Sequence, residues 1–279
     1  MITISIPLEI TTPNKRYAPV GKCIYCGEVP FSDEHIIPFA LAGDAAILPA
    51  ASCKHCAKIT GKIEHKIFRN MIGNTRIKLG APTRRPKDRP KEIKVRVGKW
   101  AGGSVESPGS ITPTGTITID ASNVPLLYPA LKFPRMGCLL GRDPDWDVSY
   151  DVTMLQNIDE IRGALGNSAN ALQSEMIYPF EFAQALAKIA HSYAVAELGL
   201  DGFRPFLTDL ILGKTPYKVS HALHWIGSEP TIAPVEASVC TLAYEKFDQI
   251  DHLKRPVMVK LRIFPCLPTP TYQVLVGEW

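Results

Sequence analysis

Two short cysteine pairs, Cys23-Ile24-Tyr25-Cys26 and Cys53-Lys54-His55-Cys56, stand near the start of the chain with 26 residues between them. Each Cys-x-x-Cys sets two sulfurs on one tight turn. Two such turns facing each other enclose a tetrahedral site for one Zn²⁺. Four protein thiolates leave no open coordination position, so the expected zinc is a structural staple. Any chemistry must then lie in what the staple holds.

Between the pairs runs Phe31-Ser32-Asp33-Glu34-His35-Ile36-Ile37-Pro38, which reads as a strand ending at proline. Residues 40–52 are small and apolar, with Gly43-Asp44 marking a loop. From about Ala57 to Ile72, Ile59, Ile63, Ile67 and Met71 recur at helical spacing, with Lys58, Lys62, Lys66 and Arg69 on other faces.

Charge is unevenly spread. Residues 54–99 hold 15 lysines and arginines against three acids, whereas the remainder holds 16 basic and 24 acidic residues. A basic strip directly after the cysteines suits a polyanion partner, with Lys58, Lys62, Lys66, Arg69, Arg84 and Arg85 as candidate phosphate contacts. Residues 80–90 carry three prolines and four basic residues, which precludes regular structure. A basic linker over 81–91 is therefore expected to separate an N-terminal unit, 1–80, from a C-terminal unit, 92–279.

In that second unit, strands are expected at Glu92–Val97, Gly115–Asp120, 124–133, 238–244, 256–264 and 271–277, besides one at residues 2–10 of the first unit. A long helix is expected over Pro179–Leu198, closed by Gly199, and a short one near Pro205–Leu212. The whole is α+β with antiparallel strands. Cys138, Cys240 and Cys266 are scattered, His191, His221, His224 and His252 have no evident partners, and Asp143, Asp145 and Asp147 read as a polar turn.

The order of cysteine pair, Glu34-His35-Ile36-Ile37-Pro38, second pair and helix resembles the zinc-stapled members of the HNH (ββα-metal) endonucleases. The resemblance covers roughly residues 20–75. It implies an N-terminal ββα-metal domain followed by the larger α+β domain. It also implies His35 as the general base that activates water and Glu34 as ligand of a catalytic divalent ion, Mg²⁺ or Mn²⁺. Family members place His or Asn directly after the last zinc cysteine, where this chain has Ala57. At about 100° per residue, Glu64 returns to within roughly 20° of the Ala57 face and His65 to about 80°. Glu64 therefore ranks first as the replacing ligand and His65 second.

The expected activity is metal-dependent hydrolysis of phosphodiester bonds in double-stranded DNA, of the kind found in bacterial and phage defence. The alternative is a catalytically inactive zinc-knuckle protein that binds nucleic acid without cutting it. The C-terminal unit is assigned to recognising substrate, a second copy of the chain, or a protein partner. No run approaches the roughly 18–20 apolar residues of a membrane span. Seven cysteines in this arrangement suggest reduced thiols plus zinc, and hence a cytoplasmic protein.

Overall fold

A computed structural model describes residues 15–101, 110–123, 127–134, 149–154, 171–172, 177–214, 225–229, 240–250 and 253–279. The chain is a mixed α/β protein with antiparallel sheets and a four-cysteine cluster near its start. The strand expected at 2–10, Cys138, His221, His224, His252 and the Asp143–Asp147 turn lie outside the described residues.

The N-terminal sheet has the order β1 (Lys15–Arg16), β3 (Ala46–Ser52), β2 (Ser32–His35). One turn of helix, α1 (Phe39–Ala42), follows β2, and α2 (Lys54–His65) starts directly after β3. Strand, strand, helix is thus the local order around the cysteines. Residues 40–52, small and apolar with a loop expected at Gly43-Asp44, complete this turn of helix and then form β3. The strand lacks alternation because it is buried almost throughout. It pairs parallel with β1 and antiparallel with β2.

The β2–β3 register shifts between Ser32↔Ser52 and Glu34↔Leu48, so the extra residues of β3 bulge out. Ala50 takes the left-handed conformation there, φ 47°, and its N–H donates to Asp33 Oδ1 at 3.1 Å. The bulge ends on the cysteine turn.

Helix α2 does not run unbroken to Ile72. Residues Lys66–Met71 form a π-helical turn, and α3 (Gly73–Lys78) follows. In an ideal α-helix, apolar residues spaced by four overshoot a full turn by about 40° per step. The wider turn absorbs that overshoot and keeps Ile67, Phe68 and Met71 buried.

Beyond the basic loop, β4 (Glu92–Ala101) and β5 (Ser110–Asp120) form a long hairpin, with β8 (Ala171–Leu172) on the other side of β4. Ile93, Val95 and Val97 alternate onto its own small cluster with Ile119. β6 (Leu127–Lys132) and β7 (Ser149–Met154) make a second pair.

The long helix α4 spans Pro179–Leu198 as expected, with Pro179 at its first position. The short strand β9 (Arg204–Pro205) and helix α5 (Thr208–Ile211) come next. The C-terminal sheet then runs β10 (Ile226–Ser228), β15 (Tyr272–Glu278), β14 (Pro256–Ile263), β11 (Cys240–Lys246), all antiparallel, with β9 on the end of β15. A small hairpin, β12 (Gln249–Ile250) with β13 (Leu253–Lys254), completes the set.

Helix α4 is the centre of the molecule. Phe182, Leu186, Ile189 and Ala190 are fully buried, and the helix packs against β14 and β15, with the Phe182 ring 5.5 Å from that of Tyr272. Side chains that large each contribute about 1.5–3 kcal/mol by leaving water, except for the alanine. The other side of α4 meets α2 and the cysteine turn. One continuous core therefore joins Cys23, Ile36, Ile63 and Phe68 to Phe182, Val259 and Tyr272. No helix among the described residues is long and apolar enough to cross a membrane.

Candidate metal centre and its acidic neighbour

Cys23 and Cys26 flank a turn closed by Gly27, whose φ of 79° favours glycine. The Gly27 N–H donates to the Cys23 carbonyl at 2.8 Å and the Cys23 N–H to that of Glu28 at 2.8 Å. Cys53 caps the N-terminus of α2, its sulfur accepting the Cys56 N–H at 3.4 Å. The four sulfurs lie within 4.8 Å of one another, with Cys26 3.7 Å from Cys53 and 3.6 Å from Cys56.

Four thiolates bonded to zinc at about 2.3 Å would have sulfurs roughly 3.8 Å apart. The donor set therefore fits a tetrahedral ion. Burial pushes the Cys53 thiol up, but the Cys56 N–H and the neighbouring sulfurs outweigh it and draw it down to about 7. Among the described residues this is the only cluster of three or more His, Cys, Asp or Glu side chains suited to a metal.

Helix α4 grips this centre through a stripe of polar residues on an otherwise apolar helix. His191 Nε2 donates to the Ile24 carbonyl at 2.8 Å, inside the first cysteine turn. Ser192 Oγ and the Tyr25 hydroxyl are 3.2 Å apart. Gln184 reaches the other way, to the Leu210 carbonyl at 2.8 Å. At the middle of the stripe stands Lys188, its side chain only 2% exposed.

The Lys188 ammonium lies 2.6 Å from Glu34 Oε1 and 2.7 Å from Glu64 Oε1, and also donates to the His35 carbonyl. An ammonium has three N–H donors, and all three are used. Burial opposes the Lys188 charge, but the two carboxylates outweigh it and hold the ammonium protonated above its usual range. Burial is also the largest influence on Glu34 and lifts its carboxyl above the usual range. Lys188 opposes that lift and the Glu64 charge reinforces it.

Glu34 and Glu64, which the sequence pairs as ligands of a divalent ion, thus do meet. They meet around a lysine. With an ammonium in hydrogen-bond contact with both carboxylates, the pair as arranged does not fit a second, hard cation.

His35 follows Glu34 on β2 and points to the opposite face, as successive strand residues do. Its side chain is 23% exposed; Nε2 is 3.0 Å from Asp44 Oδ1, and its ring meets that of Phe39 edge-on at 5.7 Å. His65 and His55 are exposed. Thr60 is buried, its hydroxyl donating to the Cys56 carbonyl at 3.2 Å.

Of the expected phosphate contacts, Lys58, Lys62, Arg69, Arg84 and Arg85 are exposed. Lys66 is engaged within the fold, paired with Glu181 and lying 4.3 Å from the centre of the Tyr178 ring. Sequence reasoning missed Lys188 and Asp44. The signal for Lys188 was present: one lysine in the midst of Phe180–Leu198, with Gln184, His191 and Ser192 on the same helical face. Comparisons with protein-family models, curated proteins and solved structures returned no match.

Proposed function

We propose that the chain is a nucleic-acid-binding protein built on a zinc-stapled ββα unit of the HNH type, in which an internal ammonium holds the place of the divalent ion. The observation that carries this is the Lys188 contact with both Glu34 and Glu64. A buried cation between two carboxylates offsets one of their two negative charges and occupies the position between them. Binding is then the task of the exposed basic residues, with Lys58 and Lys62 on α2 and Arg69, Arg84 and Arg85 beyond it.

A second proposal is a metal-dependent HNH endonuclease that cuts double-stranded DNA in defence against phage. The His35–Asp44 pair favours it, because a carboxylate on one ring nitrogen orients a histidine and fixes its tautomer. In that proposal His35, open on one side to solvent, takes the proton from water.

The deciding experiment measures duplex DNA binding and plasmid nicking together, with and without Mg²⁺ or Mn²⁺, for the natural chain and for His35→Ala. Salt-sensitive binding without nicking supports the first proposal. Nicking that needs the ion and disappears in His35→Ala replaces it with the second. Absence of both overturns nucleic acid as the partner.

A further inference from the structure

The π-helical turn, α3 and the loop at 81–90 enclose a cleft of about 550 Å³. Arg69, Arg76, Arg84, Arg85 and Arg89 all line it, and Asp88 is the one carboxylate among its lining residues. Such a volume lies in the range of small-ligand sites, about 300–1,000 Å³. The five arginines come from three separate segments and converge on a concavity, unlike a row of cations tracking a flat backbone.

Two of the five build the walls. Arg76 donates to the carbonyls of Ala40, Phe68 and Pro82, the last two at 2.7 and 3.1 Å. Arg89 donates to the carbonyls of Gly80 and Ala81 at 3.3 and 2.5 Å. Burial lowers Arg76 to about 10, and the charges of Arg89 and Arg69 push the same way. Arg69, Arg84 and Arg85 are exposed at the opening, where Arg85 stands 3.8 Å from Asp88. The Arg84 guanidinium lies 4.8 Å from the centre of the Phe39 ring, and that ring also meets His35. The cleft therefore sits one aromatic ring away from the His35–Asp44 pair.

We infer that this cleft is a phosphate-recognition pocket that takes a phosphomonoester, on a free nucleotide or at the end of a nucleic-acid strand. A guanidinium offers a planar fork of donors that matches phosphate oxygens. A phosphomonoester carries roughly −1.5 to −2 charge near neutral pH, against −1 for a backbone diester, and it can enter a pocket end-on. A dense positive concavity selects for the higher charge. The strand-end form rests on the nucleic-acid proposal above; the nucleotide form does not.

The test uses the full zinc-loaded chain and measures fluorescence anisotropy of 3′-labelled DNA duplexes that end in a 5′-phosphate or a 5′-hydroxyl. A nucleoside 5′-monophosphate and the bare nucleoside serve as competitors. Arg76 and Arg89 hold backbone carbonyls, so the variants are Arg69→Gln and Arg84→Gln, both exposed and each checked by its melting temperature. The 5′-phosphate is expected to tighten binding about tenfold, the effect of one or two added charge-assisted hydrogen bonds. Both variants are expected to erase that preference, leaving the two duplexes bound equally and each somewhat more weakly than by the natural chain, since Arg69 and Arg84 also serve as phosphate contacts.

Equal affinity for the two duplexes, with no competition by the monophosphate, overturns the pocket and leaves nucleic-acid binding standing. A preference that survives both variants also overturns it. Direct binding of the monophosphate but not of the bare nucleoside by titration calorimetry, with neither duplex bound, upholds the pocket and overturns the nucleic-acid proposal.

Discussion

The ammonium of Lys188, midway along α4, lies 2.6 Å from a carboxylate oxygen of Glu34, the residue before His35 on β2. Glu34 is buried and Glu64 completes the contact from α2 at 2.7 Å. This junction joins the cysteine-stapled unit to the central helix. Removing one partner of a buried pair leaves the others desolvated and unpaired, which costs about 3–5 kcal/mol. Lys188→Met is therefore expected to lower the denaturation midpoint sharply. In Lys188→Met with Glu34→Gln part of the loss should return, because one orphaned charge is gone. Urea titration of the two single variants and the double variant measures the coupling, and strict additivity would sink the triad as an energetic unit.

How much of this was legible beforehand differs from residue to residue. The staple was legible, since two Cys-x-x-Cys turns need only local geometry, and the four sulfurs do cluster. Helix α4 was legible to its ends because proline and glycine bracket an apolar run. The late strands came out within a residue or two of β11, β14 and β15. β3 was not legible, because burial removes alternation, and the left-handed turn at Ala50 is a feature of the structure that an alanine does not announce. Nor could helical-wheel geometry reveal what Glu34 and Glu64 would meet. That depends on a lysine more than a hundred residues further on, which only the packing of α4 brings near.

Zinc removal offers an independent check on the staple. Binding energy at a structural site is folding energy. One Zn²⁺ per chain is expected by elemental analysis, and Cys53→Ser, which also removes the α2 cap, should abolish stoichiometric binding. Chelation should lower the melting temperature of the natural chain by an amount equivalent to several kcal/mol, since zinc-finger peptides gain about 10–16 kcal/mol from the metal. A melting temperature that stays the same once elemental analysis shows the metal has been removed would refute a structural ion.

Lys66 separates the engaged lysines from the free ones on the same helical stretch. Its pairing with Glu181 and the Tyr178 ring leaves little of its charge for a phosphate. Lys58→Gln and Lys62→Gln should each reduce the slope of log K against log salt by about 0.9 for duplex DNA. Lys66→Gln should leave that slope nearly unchanged and cost about 0–1 kcal/mol of stability, as partly exposed pairs do. Equal slope changes from all three would mean that Lys66 leaves Glu181 to meet the nucleic acid.

His191 makes the grip of α4 on the cysteine turn sensitive to acid. It is wholly buried, Nε2 donates to the Ile24 carbonyl, and Nδ1 has no hydrogen-bond partner. Burial draws its pKa down to about 4, against the pull of that carbonyl. A histidine depressed in the folded state contributes stability that is fully present above its unfolded value near 6.5 and is lost as pH falls through about 4. At 1.36 kcal/mol per unit, the loss across that window is about 3 kcal/mol. Acid also strips thiolates of zinc, so the informative quantity is a difference. Stability of the natural chain should fall more steeply between pH 6.5 and 4 than that of His191→Gln, whose amide can still donate to Ile24 and does not titrate. Parallel curves for the two proteins would show that acid acts only through the cysteines.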